Sequence, residues 1–543
     1  MPCEVQLQAS RVTRLVERSG PDANLMPNAE TRAAREFHDR TAHSPYSVRT
    51  STHALDWDVK PFPFKIYPDL PEVELPRELD PPATDALVAL GGSSEHEVPP
   101  GPVTLAALAS VLYFSAGLTK TKTYPGGGEM QFRAAPSTGA LYQTEVYVVA
   151  GAVAGVVPGV YHFSPGDFRL RRLRDGDCRG TLAAAAAEPE AARRPTTLIL
   201  TAIYWRNTWK YQARGYRHLF WDSGSMLANL LATAATLGLG PKLLTGFVDA
   251  EVNALLGLDA EREASLELVL LGGPEPARPD RAAARPVEPI TLATLPLSSE
   301  ERDYPLLREI HAASSLGSTD EVVAWRRAAP LPARSLGDET IALPAPRREA
   351  GRSLGDTVLR RGSTRQFSHE PIDAVDLSTA LFCATRPIPA DFPSGLVQLF
   401  LVVSAVDGVD PGVYRYWPEI HRLERIRPGN FRSKSAYLCL EQALGGDAAA
   451  TIYFLAPLGE ILRRWGNRGY RLANLEAGLC GGRAYLAAYA QGFGATGLTF
   501  YDRDVVSFFE PASAGLDAIF VTALGRSIRA GHTDPAPLRI RGL

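Results

Sequence analysis

Three stretches of this chain carry residue types that could do chemistry. The first is Lys210-Tyr211, at the point where a strand-like run hands over to a helix, among Tyr204, Trp205 and Trp209. Lysine is scarce here: only Lys60, Lys65, Lys120, Lys122, Lys210, Lys242 and Lys434 occur. A lysine desolvated by aromatic neighbours has a lowered pKa and can act as a base. A surface lysine paired with an acid is the ordinary alternative. The second stretch is Leu359-Arg360-Arg361-Gly362-Ser363-Thr364-Arg365-Gln366-Phe367. Guanidinium forks bind phosphate bidentately and the hydroxyls add donors; a solvated basic turn has the same composition. The third is Pro136-Ser137-Thr138-Gly139-Ala140-Leu141-Tyr142, which empties into Glu145-Val146-Tyr147-Val148-Val149. A loop of small residues lets a flat ligand come close to the backbone. An ordinary tight turn before a strand would look similar.

The framework that holds these stretches is long enough for two domains, at 543 residues. Apolar residues make up 45% and charged residues 22%, as in ordinary globular proteins. A net charge of -3 gives no reason to expect a nucleic-acid partner. Cys3, Cys178, Cys383, Cys439 and Cys480 are scattered, with no CxxC and no histidine at ligand spacing. That pattern argues against a metal site or a disulfide framework and favours a reducing cytoplasm. No apolar run reaches membrane-spanning length, and the first residues lack a signal-peptide core, so no membrane partner is expected. Met26 offers an alternative start to Met1.

Residues 27–95 are polar and Pro-rich, with Pro61-Phe62-Pro63-Phe64 and Tyr67-Pro68. Proline alternating with aromatics opposes a helix interior, which predicts an extended arm lying on a domain surface. Leu105, Leu108, Val111, Leu112 and Leu118 predict a helix over 103–118. Pro125-Gly126-Gly127-Gly128 lacks the Lys-Ser/Thr of a phosphate-binding P-loop and reads as a mobile turn. A strand is predicted at 145–150, a second at 196–204, a helix at 216–237 ended by Gly238 and Gly240, and a closing strand at 266–271.

This pattern then repeats. Pro158-Gly159-Val160-Tyr161 returns as Pro411-Gly412-Val413-Tyr414, and Arg214-Gly215-Tyr216-Arg217 as Arg468-Gly469-Tyr470-Arg471. Gly238-Leu239-Gly240 returns as Gly492-Phe493-Gly494, and Leu271-Gly272 as Leu524-Gly525. The offset is 253 or 254 throughout, which marks a tandem duplication of one α+β domain. Between the copies, 274–345 is a linker with one helix, with Ser298 and Glu301 at capping-box spacing before Leu306, Leu307 and Ile310. The copies have lost complementary parts. The first kept the small-residue loop, which survives in the second only as Pro393-Ser394-Gly395-Leu396-Val397. The second kept the arginines; residues 88–119 of the first contain neither Arg nor Lys.

Together the loop, the Lys-Tyr before Arg-Gly-Tyr-Arg and the Gly-Leu-Gly helix end resemble the SagB/ThcOx branch of the nitroreductase superfamily, over roughly residues 35–530. The resemblance implies two tandem nitroreductase-like α+β domains forming an intrachain pseudo-dimer. The divisions are 1–95 (extension and arm), 96–273 (first domain), 274–345 (linker) and 346–543 (second domain). It implies FMN at the domain interface, one per chain, and a monomer. Its phosphate falls to Arg361, Ser363, Arg365 and Arg526, and its ring to Pro136, Ser137, Gly139 and Leu141, with Leu498 and Thr499 along the edge. No metal is implied. Lys210 and Tyr211 fall on the catalytic pair of the azoline oxidases. Those enzymes desaturate a thiazoline or oxazoline to an azole: a base takes a ring proton, a hydride passes to the flavin, and oxygen reoxidises it. The expected substrate is a modified peptide, a carrier-tethered intermediate or a small molecule, with a cyclodehydratase as partner. An NAD(P)H-dependent flavin reductase or an oxidase of another small molecule stays open, as does a non-catalytic flavin-binding scaffold.

Overall fold

The computed structural model describes residues 27–92, 99–123, 128–276, 287–337 and 339–528. Cys3 and the turn at Pro125–Gly127 lie outside them. The two copies build two seven-stranded antiparallel sheets of identical order. The first runs Glu72–Glu74, Arg169–Asp175, Gly159–Ser164, Thr144–Ala150, Thr196–Ile203, Glu263–Leu271, Lys242–Leu244. The second runs Thr340–Ala342, Arg422–Pro428, Gly412–Trp417, Gln398–Val403, Ala450–Ala456, Asp517–Gly525, Gly494–Gly497. The strands Thr144–Ala150, Thr196–Ile203 and Glu263–Leu271 are buried along their whole length because helices cover both faces, so they read as continuous apolar runs.

The long helices Gly215–Thr236 and Arg468–Ala490 form the centre, packed against each other. They approach at glycine: a Cβ on Gly224 would lie 2.5 Å from the Leu475 carbonyl, and one on Gly478 would lie 2.4 Å from that of Trp221. Gly224 and Gly478 are equivalent residues, so an approximate two-fold axis passes between them. The repeated Arg-Gly-Tyr-Arg motif bonds this interface reciprocally. Asp502 of the second copy takes Arg214 (3.0 Å) and Arg217 (2.5 Å) of the first. Asp249 of the first copy takes Arg468 (2.6 Å) and Arg471 (2.7 Å) of the second.

The arm and the linker depart from the sequence reading. The arm is partly helical, at Arg32–Arg40, Pro45–Arg49 and Ala86–Gly91. Its Arg35-Glu36-Phe37-His38 is the counterpart of Arg308-Glu309-Ile310-His311 in the linker helix Pro305–Ala313, at an offset of 273. Both helices do the same work: Arg217 donates to the His38 carbonyl (2.6 Å) and Arg471 to that of His311 (2.8 Å). Phe37 is wedged edge-on between Tyr216 and Tyr470. The linker holds a further helix, Thr319–Arg326, capped by Ser318. Ser298 caps nothing; it accepts from the Trp205 indole (2.9 Å) and donates to the Glu300 carbonyl (2.6 Å), and the helix starts only at Pro305.

Candidate active site

The small-residue loop follows a hairpin, Leu118–Thr123 with Glu129–Arg133, and feeds the strand Thr144–Ala150. Asp222 on the first long helix holds it from beneath. Its carboxylate accepts from the Ser137 hydroxyl (2.7 Å), the Thr138 amide (2.8 Å), the Thr138 hydroxyl (2.6 Å) and the Gln143 amide (2.6 Å). Burial pushes the Asp222 pKa up and these donors oppose the rise. The loop bends through positive φ at Gly139 (65°), Ala140 (53°) and Tyr142 (51°). Backbone strain of this kind persists only where surroundings impose it. Leu141 turns into an apolar cluster with Val59, Trp205 and Trp209.

Lys210 and Tyr211 end the short helix Tyr204–Tyr211. The arm braces this helix: the Trp209 indole donates to the Asp56 carbonyl (2.7 Å), and Trp57 meets the Trp209 ring edge-on. Half-buried Lys210 has a pKa below the usual lysine value, first through burial and then through the Arg365 charge. Tyr211 is pushed well above the usual phenol value by burial and by Asp222, so it is a neutral phenol at physiological pH. Its hydroxyl lies against Gly139. Its ring meets His218 edge-on at 4.4 Å, and His218 in turn stacks on Trp221 at 4.7 Å. Burial, then the Arg214 charge, holds His218 neutral. The sequence reading missed His218 and Asp222. Comparing the copies position by position would have flagged both: Leu472 replaces His218, while Glu476 keeps the acid of Asp222.

The arginine motif arrives from the second copy. Arg361 caps the helix Leu354–Arg360, is buried, and donates through Nε (3.1 Å) and Nη2 (3.0 Å) to the carbonyl of Ala134, at the root of the first copy's loop. Ser363 hydrogen-bonds the buried Tyr485 hydroxyl, and the Thr364 amide donates to the Ala495 carbonyl (2.9 Å). Exposed Arg365 is near enough to Lys210 and Tyr211 for its charge to act on both. The hairpin adds Lys120, which donates to the carbonyls of Arg360 (3.0 Å) and Arg361 (2.6 Å). Burial and the Arg361 charge hold its pKa at about 8. The buried Nε of Arg360 has no hydrogen-bond partner. Among the described residues no carboxylate pairs with Lys120, Lys210 or Arg361. Desolvated cations without counter-ions call for an anion.

The remaining expected cofactor residues, Arg526, Leu498 and Thr499, have protein contacts of their own. Arg526 turns its Nε to the Pro371 carbonyl (2.8 Å). Leu498 packs into the core of the second copy while its amide bonds the Val521 carbonyl (3.1 Å). The Thr499 hydroxyl accepts from Gln442 (3.1 Å).

The symmetry-related place is built differently. Glu476 holds the shortened loop through the amides of Gly395 (2.6 Å) and Val397 (2.8 Å), as Asp222 holds the other. The chain leading into that loop pairs with Leu243, which donates to the Pro389 carbonyl (2.7 Å) and accepts from the Asp391 amide (3.1 Å). Asp391 then takes the Thr245 amide and hydroxyl and the Gly246 amide. Leu243–Thr245 is the first copy's counterpart of Gly497–Thr499, so the backbone of the first copy's edge segment already has protein partners.

The complete half has a donor set that fits FMN: unpaired cations for a phosphate, and a loop of small side chains for a flat ring. The chain belongs to the nitroreductase family, which matches residues 100–272 and 358–518. Members of that family are generally flavin-dependent oxidoreductases and typically bind FMN. A protein of Methanocaldococcus jannaschii assigned as a nitroreductase, MJ1384, is 32% identical over 189 residues, 35% of this chain and 90% of its own. The microcin B17-processing protein McbC of Escherichia coli is 28% identical over 145 residues, 25% of this chain and 53% of its own. A crystal structure of an Anabaena variabilis protein assigned as a nitroreductase superposes with a TM-score of 0.73 at 27% identity, covering 92% of this chain and all of that one. Both copies are thus nitroreductase-like domains in one chain. No helix among the described residues is long and apolar enough to cross a membrane.

Proposed function

We propose that this chain binds one FMN across its own domain interface and desaturates a heterocycle, thiazoline or oxazoline to azole, on a modified peptide or carrier-bound intermediate. The observation that carries this reading is Lys210: a lysine with lowered pKa and no carboxylate partner among the described residues, within reach of the Arg365 charge and over the ring of Tyr211, whose hydroxyl meets the small-residue loop at Gly139. Simple hydride relay between a nicotinamide and a flavin needs no protein base, whereas desaturation of a ring does. Bound FMN would supply the hydride acceptor. Lys210 Nζ takes the ring proton. The Tyr211 phenol, braced by His218 and Gly139, orients the substrate as a neutral donor. Arg361, Ser363 and Arg365 hold the phosphate, and Pro136, Ser137 and Gly139 back the ring.

The similarity to McbC, whose name describes processing of microcin B17, supports a peptide as the bearer of the ring. The azoline itself must come from cyclodehydration of a Ser, Thr or Cys side chain onto the preceding carbonyl, which makes a cyclodehydratase the expected partner. The test is anaerobic mixing of FMN-loaded protein with an azoline-bearing peptide or with NAD(P)H. Bleaching of the flavin by the peptide, with azole formed, is the expected result. Bleaching by NAD(P)H alone would make the chain a reductase and overturn the desaturation reading.

A further inference from the structure

We propose that Lys120 is a further cation of the phosphate site, delivered by the first copy to complete the arginine motif of the second. This deepens the FMN reading above and rests on it. Lys120 lies on the hairpin strand Leu118–Thr123, far in sequence from the motif it meets. A lysine ammonium has three N–H donors. Two are committed, to the carbonyls of Arg360 and Arg361. The third remains for an anion.

Those two carbonyls stand where the helix Leu354–Arg360 ends, which is where backbone acceptors are left without partners. Lys120 therefore fixes the turn from which Arg361 and Ser363 project. It also brings a second positive charge beside Arg361, itself buried with Tyr142, Tyr485 and Tyr489 near enough for their charge to act on it and with no acid paired to it among the described residues. Like charges held together out of water persist only at a cost, and a phosphate dianion between them removes that cost. The hairpin belongs to the first copy alone: no hairpin stands between Ala384 and Gln398 in the second. The first copy thus lost the arginines but gained a lysine that reaches the partner copy's arginines. Phosphate binding then requires both copies to be closed on each other.

The test compares FMN with riboflavin, which differ only in the phosphate, by flavin fluorescence quenching on the full-length protein stripped of cofactor. Lys120→Met should weaken FMN by about tenfold or more, the scale of one charge-assisted hydrogen bond, and leave riboflavin unchanged. Lys120→Arg should recover most of the FMN affinity, and Arg361→Ala should weaken FMN at least as much as Lys120→Met does. Equal weakening of FMN and riboflavin by Lys120→Met would reduce the lysine to a support of the fold and overturn the proposal. Unchanged FMN binding in Lys120→Met, with FMN lost in Arg361→Ala, would also overturn it while leaving the phosphate reading intact. Wild-type protein that binds riboflavin as tightly as FMN would instead remove the phosphate site altogether.

Discussion

The Tyr211 hydroxyl rests against Gly139, where a Cβ would stand only 2.9 Å away. Gly139 also has φ of 65°, a conformation that costs an L-residue roughly 1–2 kcal/mol. Loop and phenol are therefore fitted to each other, and glycine is required on both counts. At saturating FMN, whose phosphate cations are untouched, Gly139→Ala should displace Tyr211. A misplaced orienting group costs about 100-fold in rate. Single-turnover bleaching of the flavin by substrate measures it; a variant with wild-type turnover would detach Tyr211 from the chemistry.

Lys210 sets the pH dependence. Burial and Arg365 lower its pKa, so the neutral base becomes available below the usual lysine range. The oxidation rate should rise with pH as Lys210 loses its proton, then level off. Arg365→Gln removes one of the two causes and should move that rise to higher pH when measured at saturating FMN. Lys210→Ala should abolish the rise and slow oxidation by about 100-fold or more. Arg464, at the matching place in the second copy, is engaged with Glu460 and the Pro330 carbonyl, so Arg464→Ala should leave turnover unchanged. Equal damage from the two alanine variants would put the active site in the wrong half.

The duplication was legible because its repeated motifs do the same work twice. Arg-Gly-Tyr-Arg is kept in both copies because each needs two arginines to reach the other's aspartate. Gly238 and Gly492 are kept because both long helices stop in a positive-φ residue. The paired helices at Phe37 and Ile310 were not legible, since different insertions shift their offset from 253 or 254 to 273 and leave only Arg-Glu-x-His in common. The loop and the arginines stood out by composition. Lys120 and Asp222 did not, because their value lies in what they touch: backbone carbonyls 240 and 241 residues away for one, a loop about 84 residues away for the other.

Flavin stoichiometry should be one per chain. In the second half Pro389 and Asp391 already bond the backbone at Leu243–Gly246, so a second ring edge would have to displace those bonds. Absorbance of purified, FMN-saturated protein against its peptide content gives the ratio, and two per chain would contradict the single complete site. Arg361→Ala should lose FMN and keep the fold, because alanine leaves only the Ala134 carbonyl without its donors.

Asp502 and Asp249 should contribute acid-sensitive stability at the interface between the copies. Burial pushes both carboxyls upward, but the paired arginines outweigh it, holding Asp249 at about 2 and Asp502 lower still. Their folded pKa values lie below the unfolded value of about 3.9. The stability they contribute is therefore complete above that value and is lost as pH falls through the folded one. Asp502→Asn leaves Arg214 and Arg217 buried without a counter-charge, a loss of about 3–5 kcal/mol. Asp249→Asn should cost a similar amount, because the same geometry serves Arg468 and Arg471. Urea unfolding at pH 7 followed by circular dichroism should show both losses. A titration from pH 5 to pH 2 should show wild-type stability falling more steeply than that of either variant. A variant with a wild-type urea midpoint would mean that the reciprocal pairs do not hold the two copies together.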